Sequence, residues 1–288
     1  MLGQTLDYLI LRPFTHSRNA KTEEELNSYA TQQTPLAIEN ATCRLQKLMS
    51  LLEGNFPLSD TLRYLDIGCG QGDITIALAK AGCKKVTGID FVPRMIDQAT
   101  LNAKQLRVDN CVEFLCKDIH DWTPPYQYDV ILSHEALEHI SSPQAFLQKV
   151  ANLVAPSGIV ILVFGPLFHS PVGDHMDGFF RVQIPWRGVI FSEKALLRLR
   201  HECYRPTDLV ERYQDLSGGL NLMRYTEFLK YVDATGWEFS FLRVNPQLKR
   251  LPPLYYLSHI LMQIPLVRDY FAISICAILR RRSSQGNS

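Results

Sequence analysis

The chain has 288 residues, 46% of them hydrophobic, enough to bury one large core, so a single domain with an insertion is expected. A formal net charge of +1 gives no long-range attraction to nucleic acid or an anionic membrane, which disfavours an electrostatically driven polymer partner. Seven cysteines, at 43, 69, 83, 111, 116, 203 and 276, include no C-x-x-C pair; this argues against a disulfide framework or cysteine zinc site and for a reducing compartment.

Residues 1–14 lack a basic start, an apolar stretch and a small-residue cleavage site, so they do not read as a secretion signal. No run approaches the ~20 apolar residues of a spanning helix. The nearest case, residues 254–270, is broken by His259, Gln263 and Pro265. A cytoplasmic location without a membrane span is therefore expected. Residues 22–52 have a helical pattern that opens with Thr22-Glu-Glu-Glu, acids suited to a first turn, and that Pro35 divides.

Next comes Tyr64-Leu-Asp-Ile-Gly-Cys-Gly-Gln-Gly-Asp73, read as strand, tight turn and helix. Ile74, Ala77, Leu78 and Ala81 recur at helical spacing, so the helix N-terminus points at whatever lies on the loop. Gly68, Gly70 and Gly72 permit positive φ and leave no Cβ between main chain and ligand. Their spacing excludes two phosphate binders. G-x-G-x-x-G counted from Gly68 needs glycine at 73, where Asp73 stands, and no Gly-Lys-Ser/Thr ending follows. Asp66, just before the turn, repels a pyrophosphate but can pair with an ammonium group.

Residues 85–90 form a second short strand whose terminal Asp90 is placed to take both hydroxyls of a ribose. An ammonium, a ribose and no phosphate together describe S-adenosylmethionine. The chain here resembles the class I S-adenosylmethionine-dependent methyltransferases, over about residues 63–164 and more weakly to the C-terminus. That resemblance implies an α/β fold with a Rossmann-like seven-stranded sheet. It also implies that Asp66, Gly68, Cys69 and Gly70 belong to the loop holding the cofactor's amino acid, and that Asp90 holds its ribose. Phe91 and Met95, beside a helix over residues 93–106, would pack near the adenine. A third strand over 112–116 leads to Asp118 and Ile119, matching the family's adenine-contacting pair. Plainer accounts stand beside these, with Cys69 filling a tight turn and Asp118 serving as a turn acid. An N-terminal helical segment often covers the cofactor in this family, and Tyr29 is its candidate contact.

Residues 128–133 are the fourth strand, and residues 134–139 begin the helix after it. Ligands of open parallel sheets sit beyond the carboxyl ends of the strands, so Ser133, His134 and Glu135 should face the reacting centre. Glu135, Glu138 and His139 would share one helical face. Glu-x-x-Glu-His resembles a metal-binding set in small-RNA 3′-end ribose methyltransferases and ubiquinone-pathway O-methyltransferases. No fourth ligand is identified, and no metal is assigned. A fifth strand over 159–164 opens a long stretch dense in Gly, Pro, His and aromatics, read as a substrate lid. Within it, residues 192–201 are helical, with Ser192 as cap.

A helix over 224–234, a strand over 238–244, a helix over 254–267 and a strand over 272–279 resemble the family's closing part. The expected division is an N-terminal helical cap (1–60), the S-adenosylmethionine-binding core (61–164), the lid (165–222), the C-terminal part of the core (223–283) and a tail (284–288).

Methyl transfer from a sulfonium is an in-line displacement, so alignment and water exclusion matter more than a protein nucleophile. An oxygen acceptor gains from a base, and the catalytic candidates are His134, His175 and Asp174, the last two as a sequence-adjacent pair. The expected function is methylation of a small molecule, with oxygen favoured and nucleic acid not expected. Its rivals are metal-dependent methylation of an RNA ribose, a non-catalytic methyltransferase-like binding subunit, and a dehydrogenase already weakened by the glycine spacing.

Overall fold

A computed structural model describes residues 2–16, 34–176, 179–205, 209–216 and 219–282. The start of the expected N-terminal helix, with Tyr29, and the tail fall outside these residues.

Five strands run parallel: β1 (Arg63–Ile67), β2 (Lys85–Asp90), β3 (Val112–Cys116), β4 (Tyr128–His134) and β5 (Val154–Phe164). Two more, β6 (Trp237–Val244) and β7 (Ile275–Arg281), close the sheet in the order β3-β2-β1-β4-β5-β7-β6. β7 lies antiparallel to both β5 and β6. The strand order reverses between β1 and β4, the switch point at which such sheets open a crevice for ligands.

Both sheet faces are covered, and the strands therefore alternate between two apolar sets rather than between apolar and polar. Leu65, Ile131, Leu162 and Phe164 pack on one face with Phe146, Leu147 and Val150 of α5 (Pro143–Leu153) and Phe228 of α8 (Tyr225–Ala234). Tyr64, Val130, Leu132 and Ile161 pack on the other with Leu45 and Leu48 of α2 (Thr34–Leu51) and Ile74, Ala77 and Leu78 of α3 (Asp73–Lys80). The helix α4 (Pro93–Gln105) begins on a proline at its first turn, where the missing donor costs least.

A third core is built by the stretch after β5. Past the short α6 (Arg187–Ile190), Leu196, Leu197 and Leu199 of α7 (Glu193–Cys203) gather there with Met176, Phe180 and Tyr213. Leu11 of α1 (Leu2–Leu11) completes it. The two N-terminal helices thus separate, with α2 on the sheet and α1 on the stretch after β5. Ser192 does not cap α7 with its hydroxyl; the Asp7 carboxylate from α1 instead accepts the Ser192 N–H at 2.9 Å.

Two expected helices are redrawn. Residues 134–139 do not start a helix: His134 ends β4, Glu135 takes φ +53°, and Leu137–His139 is a single 3-10 turn. The cause lies across the sheet, where Val163 O accepts the Glu135 N–H at 2.7 Å and carries the ladder one residue past the strand. The helix expected over 254–267 ends early, as α9 (Pro252–Met262); a turn containing Pro265 follows, and a separate short α10 (Arg268–Phe271) lies beyond the expected range.

Candidate active site

The glycine turn lies at the carboxyl end of β1. Gly68 N and Cys69 N both donate to Ile89 O, at 2.9 and 3.0 Å, which draws the loop onto the tip of β2. Gly70 N donates to Asp90 Oδ2 at 3.0 Å, and Val92 N to Asp90 Oδ1 at 2.9 Å. One carboxylate therefore clasps the loop while staying half-exposed, with each oxygen keeping further acceptor capacity. Gly68 and Gly70 are both left-handed, at φ +73° and +52°, but serve different ends. A Cβ on Gly68 would come within 2.6 Å of Ala136 Cβ, whereas one on Gly70 would point into open space. The first glycine lets the β4 loop approach; the second leaves a bare backbone for a ligand.

Asp66 sits deeper. Its carboxylate is buried, accepts from Thr75 Oγ1 at 2.7 Å, and is pushed up to about 6 by that burial. Cys69 is likewise buried, its thiol pushed up by desolvation, so it fills the turn rather than offering a thiolate. At the neighbouring tips Phe91 is 65% exposed, Met95 half-buried, Asp118 exposed and Ile119 buried. Asp118 Oδ1 accepts from His120 N at 2.9 Å. Ser133, on β4, is fully buried with no partner for its hydroxyl, a polar atom left toward the crevice end of the sheet.

Titratable groups lie beyond β4 and β5, and the charges that act on His134 are those of Glu135, Arg44 and Lys47. Burial lowers the His134 pKa, so its imidazole is neutral at pH 7. Glu138 is 4% exposed; its Oε1 accepts from Gly165 N at 3.2 Å and its Oε2 has no partner. Desolvation pushes this carboxyl up to about 7. His139 and His175 meet edge to face, ring centroids 5.6 Å apart. The carbonyls of Gly219 and Pro166 lie 2.9 Å from His139 Nδ1 and His175 Nε2, so those nitrogens carry the protons.

Residues 58–164 match the family described as methyltransferase domain. A ubiquinone biosynthesis O-methyltransferase from Coxiella burnetii is 30% identical over 198 residues, covering 67% of this chain and 74% of that one. The chain belongs to the S-adenosylmethionine-dependent methyltransferases. An S-adenosylmethionine dependent methyltransferase from Mesorhizobium loti shares the fold, with a TM-score of 0.52 at 15% identity over 82% of this chain and 96% of the other. So does geranyl diphosphate C-methyltransferase from Streptomyces coelicolor, with a TM-score of 0.51 at 13% identity over 83% of this chain and 79% of the other. S-adenosylmethionine is the cofactor of this methyltransferase, and the bare Gly70 backbone beside a half-exposed carboxylate fits its uncharged ribose better than a phosphate.

Two expectations about the acceptor side do not survive. Asp174 does not pair with His175: its carboxylate is buried and clamped by Arg187, with Nε at 2.7 Å from Oδ2 and Nη2 at 2.9 Å from Oδ1. A carboxylate so committed braces the stretch after β5 and is not available as a base. Arg187 also lies 4.0 Å over the ring of Phe180, a residue of the third core. Glu135, Glu138 and His139 do not share a helical face, because the left-handed Glu135 breaks the helix before it forms. Among the described residues no three His, Cys, Asp or Glu are placed to hold a metal ion.

Asn221 was not foreseen. Its amide donates to Leu137 O at 2.6 Å and Ile140 O at 2.9 Å, while its own N–H reaches Glu138 O. It locks the turn that carries Glu138. No local pattern announces such a residue, since its partners lie some 80 positions away.

Proposed function

We propose that this methyltransferase O-methylates a small phenol-like acceptor, in the cytoplasm, with His134 taking the acceptor's proton. The lid over residues 165–222 closes over the acceptor, and residues 61–164 with 223–283 form the cofactor-binding core. The neutral imidazole at the tip of β4 carries this reading, because it lies where the sheet switch point opens and next to the loop that Gly68 lets approach. The Coxiella relative's named O-methylation in ubiquinone biosynthesis supports oxygen as the acceptor atom.

Bound S-adenosylmethionine supplies an electrophilic methyl group on a sulfonium. The chain's own residues would bind and orient it. Asp90, already set by two main-chain donors, takes the ribose hydroxyls. Asp118 and the Ile119 N–H meet the adenine edge, with Phe91 and Met95 against its ring. Gly68, Cys69 and Gly70 receive the amino-acid portion, with Asp66 behind them, and Ser133 lends its unpartnered hydroxyl. His134 accepts the hydroxyl proton as the acceptor oxygen attacks in line, and His175 orients the acceptor from the lid.

A test is incubation with labelled S-adenosylmethionine and a panel of catechols, phenols and anilines, with the product identified by mass spectrometry. O-methylated product is expected, and a product methylated only on nitrogen or carbon would overturn the reading. His134→Ala should lower kcat by about 10²–10⁴-fold while leaving S-adenosylhomocysteine affinity unchanged. An unaltered kcat would remove His134 as the base.

A further inference from the structure

The excursion between β6 and β7 has its polarity inverted. In α9 the side chains turned inward are Tyr255, Ser258, His259 and Met262, with Ser258 buried. The side chains turned outward are apolar: Leu254, Tyr256, Leu257 and Ile260 are 50–66% exposed, and Ile264 and Leu266 continue at 45% and 87%. A stripe of this extent on a folded surface marks an interaction site, and nothing among the described residues covers it.

Charge says what fits. From Phe239 to Val267 the sequence contains no Asp or Glu but has Arg243, Lys249 and Arg250, and beyond it Arg268 is followed directly by Asp269. Arg243 and Lys249 are shared with Glu53, while Arg250 stays exposed at the head of α9. At its far end Arg268 lines a cavity of about 450 Å³ beneath the helix with His259 and Tyr255, its Nε buried without a partner. The near-zero net charge of the whole chain conceals this local bias. With Arg243, Lys249 and Arg250 gathered at the head of α9, two copies paired in parallel would bring like charges together, which disfavours that self-association. An apolar stripe headed by cations instead suits a lipid surface, where side chains insert and basic groups meet phosphates.

We propose that α9 and the turn to Leu266 form a docking surface for an anionic phospholipid bilayer. The helix would lie in the interface, since no described helix is long and apolar enough to cross a membrane. Its place in the sheet gives the contact a direction. Val244 pairs with Ile275, and Ile275 with Phe164, so the excursion leaves the sheet at the carboxyl end of β5, the end that carries the active site. The lid is tied to it there: Trp186 Nε1 donates to Tyr270 O at 2.9 Å, and the Trp186 ring packs edge to face on Phe271. Docking turns the mouth of the site toward the bilayer.

The test is co-sedimentation of the full chain with vesicles of phosphatidylcholine mixed with phosphatidylglycerol, against phosphatidylcholine alone. Binding should require the anionic lipid and weaken as salt rises. Leu257→Ser with Ile260→Ser should lower partitioning at least about tenfold, and Arg250→Glu severalfold. Calorimetry with S-adenosylhomocysteine reports whether each variant is folded; if the double variant is not, Arg250→Glu alone decides. Partitioning indifferent to lipid charge, or equal in wild type and variants, overturns the proposal. So does a dimer in sedimentation velocity that the double variant dissolves, because that assigns the face to a second copy.

Discussion

The proposed cofactor side and the proposed acceptor side of this methyltransferase are held together by different physics. On the cofactor side, main-chain donors do the holding: Gly68, Cys69, Gly70 and Val92 all give their N–H groups to the tip of β2, and one carboxylate organises two of them. On the proposed acceptor side, side chains brought from distant parts of the sequence hold the stretch after β5 around a core of its own, with Leu11 of α1 packed into it. The first arrangement depends on spacing within some twenty residues; the second depends on partners that only the folded chain brings together. The expectation is that the glycine loop resists substitutions in the stretch after β5.

The sharpest way to break that contrast is Asp174→Ala, which would leave Arg187 charged and buried. Losing one partner of a buried pair costs about 3–5 kcal/mol, so the melting temperature should fall by several degrees. Turnover should fall with the lid, whereas S-adenosylhomocysteine affinity, measured below the transition, should persist. Loss of both together would show that the two sides fold as one unit.

Glu138, on the boundary, gives a pH signature. Its folded pKa of about 7 lies above the ordinary 4.5 because burial disfavours the charged form. Protonation is thus favoured in the folded state, and the sign follows: this group's contribution to stability is fully present below about 4.5, is lost progressively as pH rises to 7, and levels off above that. The loss is on the order of 3 kcal/mol. Asp66, pushed up to about 6, adds a slope of the same sign between about 4 and 6. Urea titrations across this range should show Glu138→Gln flattening the upper half of the curve, and an unchanged curve would mean that the carboxyl is solvated.

The same contrast explains what the sequence could reveal. The turn from Asp66 to Gly72, Asp90 twenty residues beyond the second glycine, and the strands up to β5 announce themselves through period and spacing, because local geometry decides them. His134 to His139 carries no local breaker and so predicts a helix, but Val163, across the sheet, accepts the N–H of a left-handed Glu135. Adjacency in sequence suggests Asp174 with His175, whereas its ion-pair partner lies thirteen residues on. Both departures fall beyond β4, where long-range contacts replace local ones.

On the cofactor side, Asp90→Ala should lower S-adenosylhomocysteine affinity by about ten- to a hundredfold, since it removes charge-assisted bonds to a ligand and the clasp on Gly70 together. Asp90→Asn separates the two losses. If the asparagine keeps affinity, the clasp matters more than the charge; if both variants bind normally, the ribose assignment is wrong.

Ser133→Ala carries the smallest effect and discriminates most finely. A fully buried hydroxyl without a partner costs desolvation and returns nothing, so its removal should leave the free protein as stable or more stable by about 1 kcal/mol. If the hydroxyl waits for the cofactor, the same substitution should weaken S-adenosylhomocysteine by about five- to tenfold. The two measurements then move in opposite directions. A destabilised free protein with unaltered affinity would instead make Ser133 a packing residue of β4, and the polar lining of the crevice would end at Asp90 and Asp118.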